Sequence, residues 1–221
     1  VWYNTTSNVL KGSVLTTAGA FASTNSLNTA HGGAGCTNQG TYTSALCWGG
    51  AQSGGSPDFT DKTESWNGTN WTEVADLIKG RNGVSGAGIS NTARRAMLGC
   101  GADNTTSIVA GGFLSPPSGS TVNVETWNGT CWTEVGNLNQ AKYANGGFGI
   151  ATAALSIGGL TPSITSNVEE WNGSAWTETT NYPANSRDAC GGGATAGSAL
   201  AYDGENNPDS AVTTSFTWTG A

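Results

Sequence analysis

One histidine, one methionine and eight lysines plus arginines among 221 residues leave this chain few tools for several kinds of work. Against 15 acidic residues the basic ones give a formal charge of −7 and a sequence pI near 4.5. Nucleic-acid binding needs a basic face, so no nucleic-acid partner is expected. No apolar run approaches the roughly 20 residues of a membrane-spanning helix, so membrane insertion is not expected either. Helix itself is disfavoured: Gly, Ser, Thr and Asn dominate, and no long stretch repeats its apolar residues every 3.6 positions. The five cysteines are odd in number and form no C-x-x-C pair, which excludes a zinc ribbon and a thioredoxin-type motif. They read as small buried apolar side chains, with one or two disulfides as the alternative. The chain begins at Val1 rather than Met, as expected of a processed or partial product.

What the sequence has is repetition. "ESWNGTNWTEV" (64–74) returns as "ETWNGTCWTEV" (125–135) and "EEWNGSAWTET" (169–179), with both tryptophans in register. Asn-Gly between two β-prone runs is a strong hairpin signal, because both residues tolerate the positive φ of a type I′ turn. The motif therefore reads as an outer hairpin whose turn is bracketed by its tryptophans.

Upstream of each motif the same features recur: a polar turn, a basic residue, a Gly-rich run, an apolar run ending in Gly-Gly, and a variable loop. The basic residue is His31, Lys142 or Arg187, followed by the second glycine of the pair 19, 17 and 17 residues later. In the remaining copy Arg94 lies 18 residues before Gly112 and Arg81 lies 31 before it. Spacing thus selects Arg94 for the basic slot and makes residues 75–92 an insertion. Each unit carries four short strand candidates, with a period of about 45–60 residues. The expected organisation is one domain over 1–221, with repeats near 26–74, 75–135, 137–179 and 181–221 and closing strands in 1–25.

A double glycine after an apolar strand with tryptophan downstream resembles the kelch-type β-propeller repeat. The "WNGTxWTEV" and "LNTA" segments are most similar to repeats of kelch-like proteins from marine bacteriophages, notably cyanophages. The resemblance covers roughly 26–218. It implies an all-β fold, a small kelch-like β-propeller of four to five blades. The last copy departs by carrying Asp203-Gly204 for Gly-Gly and by stopping where its fourth strand should begin. Residues 19–25, "GAFASTN", precede "SLNTAH" as "TCWTEVG" precedes "NLNQAK", with Phe21 in the tryptophan's place. The N-terminal segment is therefore expected to complete the last blade and remove its open edge.

Recurrence also assigns roles. The tryptophans Trp66, Trp71, Trp127, Trp132, Trp171, Trp176 and Trp218 sit where neighbouring blades splay, and packing explains them better than sugar stacking. The motif glutamates, among them Glu64, Glu125 and Glu169, read as solvated outer-strand charges. A galactose-oxidase type of kelch enzyme needs two histidines at copper, and this chain has one. A sialidase-type site needs an arginine cluster, and the chain has four arginines in all and no Asp-box. "DGENNPD" (203–209) reads as a polar turn rather than a calcium loop. No enzyme activity, metal or cofactor is expected.

Function on a repeat scaffold sits where the copies differ. The variable segments contribute Asp58, Phe59, Lys79, Arg81, Phe113, Leu114, Asn206 and Asp209 to a loop face. The basic slot of His31, Arg94, Lys142 and Arg187 is a second repeated polar feature. The phage resemblance implies a non-enzymatic extracellular or virion component, of fibre, appendage or capsid-decoration type. Its partners would be other particle proteins or a host-surface glycan or receptor, with an oligomeric assembly an option. A free carbohydrate-binding lectin-like propeller is the alternative.

Overall fold

The computed structural model describes residues 2–4, 9–11, 23–37, 41–52, 59–82, 98–101, 104–114, 119–195, 197–202, 204–207, 210–211 and 215–220. Every regular element among them is a short strand, and all pairings are antiparallel. No helix among the described residues is long and apolar enough to cross a membrane.

Three four-stranded sheets and one of three strands follow one another. The first pairs Gly35–Cys36, Ala45–Trp48, Thr63–Trp66 and Trp71–Glu73 in chain order. Leu98–Gly101, Ser107–Ala110, Val124–Trp127 and Trp132–Glu134 form the second in the same way. Gly146–Ile150, Ala153–Ile157, Val168–Trp171 and Trp176–Glu178 form the third. The fourth holds Cys190–Thr195, Ser198–Tyr202 and Ser215–Trp218. Their innermost strands lie against one another in succession, first on second, second on third, third on fourth. Small residues permit this crowding: a Cβ on Gly146 would collide with the Ala189 backbone of the next unit.

Large side chains fill the wider gaps farther out. Trp127 and Trp132 join Leu46, Trp48 and Leu77 between the first and second sheets. Trp171 and Trp176 join Ile108, Val124 and Leu138 between the second and third. These four motif tryptophans and Trp66 are buried, whereas Trp71 and Trp218 are half-buried.

The outer hairpins form, but their turns are not type I′. Asn67, Asn128 and Asn172 have no positive φ; the glycines after them do, at 92°, 93° and 92°. Because Trp66 pairs with Trp71, the loop spans four residues, 67–70. The Asn67 side-chain oxygen accepts the N–H groups of Thr69 and Asn70 at 3.0 and 2.9 Å. Asn128 and Asn172 cap their loops identically. Asparagine is there for its side chain, not for left-handed backbone.

Trp2–Asn4 and Val9–Lys11 form a separate two-stranded hairpin. Phe21 and the rest of 12–22 lie outside the described residues, and 23–26 carry no strand.

Candidate docking face

The basic slot and the motif glutamate meet, and both differ from the sequence expectation. Glu64, Glu125 and Glu169 are almost wholly buried rather than solvated. Each faces the basic residue that opens its own unit. Lys142 Nζ lies 2.9 Å from Glu169, and both side chains are inaccessible to solvent. His31 Nε2 lies 3.4 Å from Glu64, while its Nδ1 is 2.6 Å from the Gly49 carbonyl. In the second unit the partner of Glu125 is Arg81, not Arg94, which lies outside the described residues. Arg81 also donates to the carbonyls of Gly111 and Asn123. Spacing misled because the extra length lies between Asn82 and Leu98, after the slot rather than before it. Residues 75–82 therefore belong to the unit, and Arg81 is a buried anchor rather than a loop-face contact.

Main-chain bonds tie each slot to the preceding sheet. The carbonyls of Arg81, Lys142 and Ser186 accept the N–H of Gly50, Gly112 and Gly159, the second glycine of each pair, at 2.8–2.9 Å. That approach explains the paired glycines: Gly111 has φ 69°, and a Cβ on it would stand 2.6 Å from the Lys142 carbonyl. The same bond corrects the last copy, where Ser186 and not Arg187 fills the slot. By register with Ala154↔Trp171 and Ala199↔Trp218, Phe216 stands where Glu169 does. Both members of the ion pair are absent from the fourth unit together.

Burial costs a charged group its hydration, and neighbours restore it. Burial lowers the Lys142 and Arg81 pKa values, with Glu169 and Glu125 opposing. Burial would raise Glu64, yet the backbone N–H groups of Asn28 and Thr29, the Asn28 amide and His31 hold its carboxyl below the usual range. Glu169 takes the Asn139 N–H and amide in the same way. The asparagine two residues before the alanine of "LNTAH" and "LNQAK" is a carboxylate ligand, a role that its recurrence alone could have flagged.

One position past each slot, the units diverge. Gly32, Asn82, Tyr143 and Arg187 pair across to Ala51, Phe113, Leu160 and Glu205, the residues that follow the paired glycines or their Asp-Gly counterpart. These pairs stand at one end of the sheets, opposite the turns at 41–44 and 67–70. They seed small hairpins: Phe113–Leu114 with Gly119–Ser120, Leu160–Thr161 with Ser163–Ile164, Glu205–Asn207 with Ser210–Ala211. Phe59 meets Phe113 edge-on at 6.4 Å, and Phe113 meets Tyr143 at 5.1 Å, a half-buried aromatic row across three units. At the fourth unit the face turns polar, where Arg187 donates twice to Glu205 at 3.0 and 2.7 Å.

Of the expected loop-face residues, Phe59, Phe113 and Leu114 gather in this region, and Lys79 and Asn206 are exposed. Asp58 and Asp209 lie outside the described residues. Tyr143 belongs to the row although its place beside Lys142 gave no signal in sequence. Among the described residues no group of three or more His, Cys, Asp or Glu side chains is placed to hold a metal ion.

No family model matches the chain, and no curated protein matches it. Solved structures do. The one titled "Structure of YjhT" superposes with a TM-score of 0.57 at 12% identity, over 77% of this chain and 62% of that one. The likeness is in fold: a propeller-like arrangement of small antiparallel sheets. The chain spans about 62% of that neighbour's length.

Proposed function

We propose that this chain is a kelch-like propeller of four to five blades, closed by its N-terminal segment, that acts as a non-enzymatic docking protein. Its setting is extracellular or on a virion, in a fibre, appendage or capsid decoration, and its partner is another particle protein or a host-surface receptor. One observation carries the reading: the positions just past the slot and the paired glycines differ in every unit, while those around them repeat. Buried pairs and tryptophans commit the repeated positions to packing, which leaves the Phe59–Phe113–Tyr143 row and the Arg187–Glu205 rim free to specify a partner. Aromatic rings at the edge of a polar face also suit a glycan, so a free lectin is the second reading.

Density-gradient fractionation of the native source, with this chain followed by mass spectrometry, tests the proposal. Co-sedimentation with particles at a fixed copy ratio is expected. Recovery in the soluble fraction alone would reject the particle role and favour the lectin.

A further inference from the structure

At one position of the innermost strand, three of the four units carry glycine. Gly99 stands opposite Val109, Gly147 opposite Ser156 and Gly191 opposite Ala201. The first unit departs at both places together and sets Cys36 opposite Cys47. The next strand fixes the equivalence: Cys47, Val109 and Ser156 stand opposite the motif glutamates Glu64, Glu125 and Glu169, and Ala201 stands opposite Phe216. Cys100 pairs with Ile108 and Cys190 with Tyr202, so Cys36 and Cys47 are the one pair of cysteines facing each other across strands among the described residues.

The register also decides the geometry. The Thr37 N–H donates to the Leu46 carbonyl at 3.1 Å, so the ladder bond lies one step beyond the cysteines and they occupy a non-hydrogen-bonded site. At such sites opposed Cα atoms are about 4.5 Å apart and side chains come closest. A disulfide spans Cα separations of about 4.4–6.8 Å, so these two residues can be joined without a change of register. Leu46 and Trp48 point into the gap with the second sheet. Cys47 between them, and Cys36 opposite it, project from the other face. There Cys36 is exposed and Cys47 is buried. A bond between them would staple a strand of two residues, where the innermost strands of the other units have four to six.

We infer that Cys36 and Cys47 are a covalent modification site, closing to a cross-strand disulfide by exchange with a small disulfide oxidant such as glutathione disulfide. The exposed Cys36 thiol gives its proton to water, and its thiolate attacks one sulfur of the oxidant. A mixed disulfide forms and the other half leaves as a glutathione thiolate. Cys47 then loses its proton, attacks the Cys36 sulfur and displaces the second glutathione. Two protein thiols are oxidised by two electrons while one glutathione disulfide is reduced to two thiols. Burial, and next to it the Cys36 thiol, push Cys47 up to about 12, which leaves the first attack to Cys36. The site belongs to the scaffold and is independent of the docking role.

The test holds the full, previously reduced chain in a glutathione redox buffer, quenches it with acid, then unfolds and alkylates it for peptide mapping by mass spectrometry. Cys36 and Cys47 should escape alkylation together and appear as one linked pair within the monomer. Fold and bond favour each other by the same factor, so the ratio of linked to reduced chain should be at least about tenfold higher folded than in urea at the same buffer composition. Cys47→Ser should stop the exchange after its first step and leave glutathione on Cys36. Alkylation of both thiols, a 36–47 link found only between chains, or a folded-state ratio short of that tenfold would each overturn the inference. The wild-type ratio decides even where the variant fails to fold.

Discussion

Tyr182 packs edge-on against Phe216 with ring centroids 5.0 Å apart, in the unit that has neither a basic slot residue nor a motif glutamate. In the third unit the corresponding space holds Leu138 and the buried Lys142–Glu169 pair. One scaffold position is thus filled in two ways within a single chain, by ions or by rings. A buried ion pair gains little over well-packed apolar groups, while removing one partner strands the other. Glu169→Ala should therefore cost about 3–5 kcal/mol in urea unfolding. The triple change Leu138→Tyr, Lys142→Ser and Glu169→Phe, which copies the fourth unit, should recover at least half of that loss. Equal damage from both would contradict the exchange.

Glu64 sets an acid limit. Its carboxyl is held below the ordinary value of 4.5 in the folded chain, so the stability it contributes is complete above that value. The contribution is lost as pH falls through the lower folded value. Glu64→Gln should flatten the dependence of stability on pH below about 4.5, measured by denaturant titration, while the wild type keeps its slope.

The four-residue hairpin loops depend on two neighbouring residues for different reasons. Asn128→Ala removes an acceptor for two N–H groups and should cost about 1 kcal/mol. Gly129→Ala places a Cβ at φ 93° and should cost about 1–2 kcal/mol. Asn128→Gly should not rescue the first change, since its loss is of a side-chain oxygen; rescue in thermal melts would show that backbone freedom was the issue.

Cys36 and Cys47 stand directly opposite on adjacent strands of the first sheet, both as free thiols. Burial, with Cys36 and Glu64 nearby, pushes the Cys47 thiol up to about 12. At pH 8 iodoacetamide should therefore modify the exposed Cys131 well before Cys47 in the folded chain. Comparable rates by mass spectrometry would refute the burial of Cys47.

The repeated hairpins and the strand before each Gly-Gly pair were legible because a short apolar run ending in Gly-Gly and an Asn-Gly turn are local signals. Three features were not. Arg81 was hidden by length inserted after it, which a spacing rule counts as length before the slot. Ser186 was hidden because its scaffold role is carried by a main-chain carbonyl, which any residue supplies, while Arg187 one position later offered the expected charge. Glu64, Glu125 and Glu169 look like surface charges until their partners are located more than 25 residues upstream. Pairing of that kind is tertiary, and no local pattern contains it. The face was legible in part: Phe59 and Phe113 stood out as apolar residues in variable loops, whereas Tyr143 lay next to a repeated lysine.

On a scaffold common to the units, the face with Phe59, Phe113 and Tyr143 is the proposed working surface. Hydroxyl-radical footprinting of the chain, free and with the proposed particle partner, measures this directly. Binding should protect Phe59, Phe113, Leu114 and Tyr143, while Tyr42, 92% exposed at the other end of the sheets, stays reactive. Protection of Tyr42 with the aromatic row unchanged would contradict the account.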